Sequence, residues 1–324
     1  MPLVLGMATS HFPSLFQDTY EGWQYYWRLI SSGVPQPPEV EAEDRACVSD
    51  WVSRRKVAFA RMQDEAAKHR LDALIVVGGD QDEWFAPSHS PALLIYSGKD
   101  PVTGFHNIGE ADCDPPLKFW EHPDRFGMTV PVDPDLAALL QDGLVDEGFD
   151  VSIARAIRPR GRVERRAPHA ITRPLPLITP GLDVPIVPLV IRTIEHTPGV
   201  LSGTRCLAIG KSLARICERT DKRVGILGSG GMSHDPSGPR SGWVDEPLDR
   251  WVLDCIERGR ADELAGLFGF RSAANASGTG ELRTWLVTAA AMEGADPGIK
   301  AQVLDYFPSR KATAGCGFAL WSSE

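Results

Sequence analysis

The stretch Arg223-Val-Gly-Ile-Leu-Gly-Ser-Gly-Gly-Met-Ser-His-Asp-Pro236 decides how the rest of the chain reads. Val224, Ile226 and Leu227 suit a strand covered on both faces. The run then breaks into Gly228, Gly230 and Gly231, which permit dihedrals and close approaches denied to larger residues. A side chain delivered past such a turn stands at the carboxyl edge of a sheet, where ligands of open α/β sheets bind. That side chain is His234, by chemistry a neutral-pH proton carrier or a metal ligand. A histidine that only caps its own turn is the bland alternative. A P-loop is excluded because no Lys follows the glycines, and a nucleophile elbow because Asp235 stands where the second glycine belongs.

Two other apolar runs end in the same way. Leu3 to Gly6 leads into Ser10-His11-Phe12-Pro13, where the proline restrains its predecessor and holds His11 in a defined pose. Ala73-Leu-Ile-Val-Val77, the clearest buried strand, leads into Gly78-Gly-Asp-Gln-Asp-Glu83, whose polar groups either ligate or orient a metal or are solvated. Helical spacing appears over 50–68, 135–147, 202–219, 248–258, 261–268 and 277–292, with Glu281 in the first turn of the last, where a carboxylate also complements the helix dipole. Residues 151–156 and 185–191 read as strands, Pro188 pointing to an edge or bulge. The Pro- and Gly-rich stretch 86–134 reads mostly as loop, with a short hairpin around Ala92 to Tyr96 and loop histidines at His89, His106 and His122. The aromatics Tyr20, Trp23, Tyr25, Tyr26 and Trp27 either pack in the core or line a pocket.

Strand, helix, strand recurs along the chain, which favours an α/β sheet, and the even scatter of aliphatic runs favours one domain over 324 residues. The formal charge of -9 argues against a general nucleic-acid binder. Arg155, Arg158, Arg160, Arg162, Arg165, Arg166 and Arg173 form one basic segment that either attracts an anionic substrate or faces solvent. Six cysteines without a Cys-x-x-Cys pair fit reduced thiols. With no basic leader and no membrane-length apolar run, a soluble cytoplasmic protein is expected.

Ser10-His11-Phe-Pro13, Gly78-Gly-Asp-Gln81, Pro168-His169, Gly228-Ser-Gly-Gly-Met-Ser-His234 and Gly280-Glu281-Leu together resemble the class III extradiol ring-cleavage dioxygenases, in order and spacing over nearly the whole chain. Arg205-Cys206 at the head of a helix is similar to the branch that holds the catalytic β-subunits of protocatechuate 4,5-dioxygenase. The resemblance implies one catalytic domain over 1–324 with a central mixed sheet flanked by helices. It also implies a non-haem Fe(II) held by two histidines and a glutamate, with positions open to a catechol-type aromatic diol and O2. On the matching positions, His11 and Glu281 are metal ligands, His234 is the acid/base group, and His169 is the other active-site histidine.

One position departs from the pattern. Gln81 stands where the family carries its second ligand histidine, and its carbonyl is a weaker donor than imidazole. Gln81 itself, Asp80, Asp82 or His89 is then left to complete the metal site. The departure motivates an alternative: a protein of the same fold without oxygenase activity, acting as a binding protein or a metal-dependent hydrolase. A homodimer or a separate small lid subunit is the expected assembly.

Overall fold

The computed structural model describes residues 2–86, 88–158, 166–194, 199–236, 238–269, 272, 275 and 277–322. Its strands are β1 (Leu3–Thr9), β2 (Ala73–Gly78), β3 (Leu93–Tyr96), β4 (Val102–Phe105), β5 (Gly127–Val130), β6 (Ser152–Ala154), β7 (Ile186–Ile191), β8 (Val224–Ser229), β9 (Gln302–Ser309) and β10 (Ala314–Ser322). Eight of them form one sheet in the order β6-β3-β7-β2-β8-β1-β10-β9, and β4 pairs with β5 alone. At its centre β7, β2, β8 and β1 run parallel. β3 is antiparallel to β7, and β10 is antiparallel to both β1 and β9, so the sheet is mixed. The fold is the expected α/β arrangement of helices around a central mixed sheet.

The central strands are apolar because both of their faces are covered. In β2, Ala73, Ile75 and Val77 join one apolar cluster with Ile209, Leu213 and Leu286, whereas Leu74 and Val76 join another with Phe59, Met62 and Leu175. The helices Gly203–Cys217 and Leu282–Ala295 supply the first cover, and Arg45–His69 contributes to the second. Five helices begin where an oxygen side chain meets an orphan N–H: Thr19, Asp44, Asp133, Ser202 and Asp245 each accept from the backbone three residues on.

Several boundaries differ from the sequence reading. Residues 93–96 form a single strand of the main sheet and not a hairpin. β7 lies inside the sheet, and Pro188 is tolerated there because β3 pairs only with Leu189 to Ile191, leaving the proline beside an unpaired margin. The helix carrying Glu281 starts at Leu282, after a 3-10 turn over Ser277–Glu281. The β9–β10 pair was not anticipated; it closes the sheet beside β1. Arg160, Arg162 and Arg165 fall outside the described residues.

Four parallel strands deliver their carboxyl ends to one edge, where the predicted site residues gather. Ser10 and His11 follow β1, Gly79 to Gln81 follow β2, Thr193 follows β7, and Gly230 to His234 follow β8. The last helix reaches this edge because it packs tightly on its neighbour at Gly210, where a Cβ would sit 2.6 Å from the Ala290 Cβ and 2.9 Å from the Ala291 nitrogen. Gly210→Ala should therefore push the two helices apart and cost about 1–3 kcal/mol of stability. A urea titration should show a lower midpoint with an unchanged slope.

Candidate metal centre

His11, His169 and Glu281 are buried and present one donor atom each, all within 4.8 Å of one another. His11 Nε2 lies 3.1 Å from Glu281 Oε2 and 3.2 Å from His169 Nε2. Donors about 3 Å apart are the spacing expected of neighbours around one small cation with bonds of about 2.1 Å at right angles. Two imidazoles and one carboxylate are also the donor set of non-haem iron sites. The residues present thus fit a divalent transition metal.

Each ligand candidate is oriented by a second group. His11 Nδ1 is 2.9 Å from Ser229 Oγ at the end of β8. His169 is gripped twice by Glu83: its backbone N–H donates to Oε2 at 2.9 Å, and Nδ1 lies 2.9 Å from the same oxygen. A proton on that Nδ1 faces a carboxylate, so the lone pair of Nε2 is turned toward His11. Glu281 Oε2 accepts the Gly231 N–H at 2.7 Å, and Oε1 accepts from the Gln81 amide. Burial alone would push the Glu281 carboxyl up, but the imidazoles of His11, His234 and His169 reverse this and hold it well below the usual carboxylate range.

His234 stands next to the cluster, its Nε2 3.7 Å from Glu281 Oε2. Its Nδ1 is 2.7 Å from the Met232 carbonyl, which accepts only, so Nδ1 carries the proton and Nε2 the lone pair. Burial shifts this imidazole below its ordinary value, against the opposing pull of Glu281. The glycines around it serve close approach and not unusual dihedrals: none of Gly228, Gly230, Gly231 or Gly278 has a positive φ. A Cβ on Gly231 would sit 2.5 Å from the Phe12 ring and 2.7 Å from the His234 ring, and one on Gly278 would collide with His234 Nε2.

The five predicted site residues therefore meet in one place. They line a cleft of about 480 Å³ together with Phe12, Pro13, Tyr26, Leu29, Ile30, Glu83, Arg173 and Pro236. Gln81 faces Glu281 through its amide nitrogen. The proposed substitutes for it lie elsewhere: Asp80 accepts the N–H groups of Trp84 and Phe85 to shape its own loop, and Asp82 and His89 are exposed. Among the described residues of the basic segment, Arg173 is the one that reaches the cleft, and it donates to the His11 carbonyl at 2.8 Å and to Asn107 at 3.1 Å. The aromatic run divides, Trp23 packing against Trp51 in the core while Tyr26 lines the cleft.

Asp249 is a supporting residue that sequence reasoning missed. It accepts from the Ser233 N–H at 2.7 Å, the Ser233 hydroxyl at 2.8 Å and the Tyr306 hydroxyl at 2.9 Å, and so anchors the residue before His234. It lies in a helix 16 residues further on, among ordinary helical acids, with no local signal. Burial pushes its carboxyl up to about 7, against the pull of those donors. An acid whose folded value is raised makes the folded state hold a proton that the unfolded state has released. The stability tied to Asp249 is therefore full at acid pH and lost as pH rises from about 4 to about 7. In urea titrations from about pH 4.5 to about pH 8, Asp249→Asn should flatten this decline, the two curves diverging by on the order of 2 kcal/mol.

A profile described as the catalytic LigB subunit of aromatic ring-opening dioxygenase matches residues 29–316. The chain is 24% identical over 212 residues to a 2,3-dihydroxyphenylpropionate/2,3-dihydroxicinnamic acid 1,2-dioxygenase of Rhodococcus globerulus, covering 61% of this chain and 63% of that one. To the enzyme of the same name from Rhodococcus rhodochrous it is 31% identical over 165 residues, 48% of each chain. To the 2,3-dihydroxyphenylpropionate/2,3-dihydroxicinnamic acid 1,2-dioxygenase 1 of Dechloromonas aromatica (strain RCB) it is 26% identical over 309 residues, 78% of this chain and 92% of that one. The matched stretch thus spans between about half and just under two thirds of the first two relatives' own length. With the profile running through most of its length, the chain belongs to the LigB family of aromatic ring-opening dioxygenases, the class III extradiol group.

Proposed function

We propose that residues 1–324 form one catalytic domain for Fe(II)-dependent extradiol cleavage of a catechol-type aromatic diol with O2. The observation that carries this reading is the meeting of His11, His169 and Glu281 at one buried point, with His234 beside them in a cleft. A bound iron would act as a Lewis acid toward the diol and let electrons pass from its ring to dioxygen. His11 and Glu281 would hold the metal, with His169 close enough to join them.

His234 supplies the proton handling. The residue lines the cleft with its Nε2 unprotonated, so it can take a proton from one diol hydroxyl as the ring binds and return it as the ring opens. Phe12, Tyr26, Leu29, Ile30 and Pro236 give the cleft apolar walls that hold a flat ring and exclude bulk water. Phe12 packs edge-on to the His234 ring at 4.3 Å between centroids and limits its rotation. The alternative without oxygenase activity rested on Gln81, and the convergence of two imidazoles without it removes that motive.

The names of the relatives favour a 2,3-dihydroxyphenyl compound, and Arg173 at the cleft wall is compatible with a carboxylated side chain. Among the described residues, no helix is long and apolar enough to cross a membrane. A cytoplasmic location is part of the proposal, and so is assembly as a homodimer or with a separate small lid subunit. Leu29, 61% exposed at the cleft, is an apolar surface such an assembly would cover.

Oxygen uptake by the Fe(II)-loaded protein, run with catechol, protocatechuate and 2,3-dihydroxyphenylpropionate, tests the reading. At least one diol should be consumed with one O2 and give a coloured ring-opened product. His234→Ala should lower kcat by about 10²–10⁴ while Fe(II) binding persists. Uptake with none of the diols by an iron-loaded sample would sink the reading.

A further inference from the structure

The loop after β2 lacks a histidine at position 81, yet the structure still brings two imidazoles to Glu281. We propose that His169 is the second imidazole ligand of this centre, and that Gln81 is a positioning residue that fixes the Glu281 carboxylate by hydrogen bonding. The inference rests on the metal-dependent reading above and deepens it.

The first support is distance. His169 Nε2 is 3.2 Å from His11 Nε2, the rings meet edge-on with centroids 4.5 Å apart, and both donors lie within 4.8 Å of a Glu281 oxygen. An acid/base group acting on substrate alone has no need to lie within ligand spacing of a metal-binding nitrogen.

The second support is the way His169 is held. Metal-binding histidines commonly give their other N–H to a carboxylate, which fixes the tautomer and strengthens the donor. Glu83 does this for His169, with both carboxylate oxygens within 3.0 Å of Nδ1 and one of them also receiving the His169 backbone N–H. Glu83 is itself 1% exposed. It sits two residues beyond Gln81, on a loop bent sharply by Asp82 at φ 59° and closed by Asp80. The loop that offers no imidazole therefore offers the carboxylate that secures one from another segment. His169 also reaches the site because its neighbour Ala170 packs against Gly78, where a Cβ would lie 2.6 Å from the Ala170 methyl.

The third support is the pose of Gln81. Its amide nitrogen donates to Glu281 Oε1, so the side chain is spent on the carboxylate ligand. Oε2, the oxygen beside His11 Nε2, is left facing the shared point. An amide donor at this place caps one carboxylate oxygen and directs the other.

The test counts imidazoles. Full-length protein is titrated anaerobically with Fe(II), and imidazole nitrogens are counted by pulsed EPR on the nitrosyl adduct. Wild type should bind one Fe(II) per chain with two imidazoles. Gln81→Ala should keep both and bind within about 10–100-fold of wild type, the range for loss of a group that orients a ligand. His169→Ala should show one imidazole at most and a larger loss of affinity, and Glu83→Gln should weaken binding about tenfold with two imidazoles retained. A variant that fails to fold by circular dichroism is replaced by Gln81→Leu or His169→Gln. Two imidazoles persisting without His169, or a greater loss of Fe(II) from Gln81→Ala than from His169→Ala, would overturn the inference and leave the functional reading standing. A wild type that binds no Fe(II) would overturn both.

Discussion

A buried carboxylate is tolerable only where hydrogen bonds or opposite charge replace the water it has lost, and Glu281 meets that condition with groups from three other parts of the chain. The backbone of Gly231 and the amide of Gln81 donate to it, and His11 and His234 stand within ion-pair distance. The partners arrive from the ends of three parallel strands, His11 after β1, Gln81 after β2, and Gly231 with His234 after β8. Packing those strands side by side is what makes the carboxylate stable, and the carboxylate in turn fixes where the strand ends must sit. The remaining features of the site follow from this mutual constraint.

Space is the second requirement. His234 lies against Gly231 and Gly278, and the final helix lies against β8 where Gly228 faces Thr284 and Thr288. Small residues at these contacts let rings and backbone approach to distances that any side chain would block. The glycine-rich turn thus works by closeness, with ordinary backbone angles, and the same economy of space keeps His234 from rotating away from Glu281. Arg283 locks the arrangement from outside, donating to the carbonyls of Leu201, Thr193 and Gly280 and so tying the exit of β7 to the start of the last helix.

The polar supports differ in how visible they are. Glu83 belongs to a run of acids that any reading of the chain notices, although its neighbours Asp80 and Asp82 share the same local signature and do other work. Asp249 belongs to no motif at all. Both matter because they hold a histidine or the residue beside one, and such holding groups are recruited by proximity in space, which local sequence does not encode.

What the sequence determined by itself was the set of strand ends. Short apolar runs followed by glycine and a histidine are legible because burial on both faces removes alternation and because only small residues turn so closely, and this placed His11, His234 and Gln81 at one edge. The motif resemblance added Glu281 and His169. Lateral order was not legible: β3 and the β9–β10 pair carry no local mark of which neighbour they join, since pairing depends on hydrogen bonds between segments far apart in the chain. Only the tertiary structure decided that His169 comes within 3.2 Å of His11 while Gln81 turns its amide to Glu281. Those separations span 158 and 200 residues of chain, and periodicity of two or of 3.6 residues carries no information over such distances.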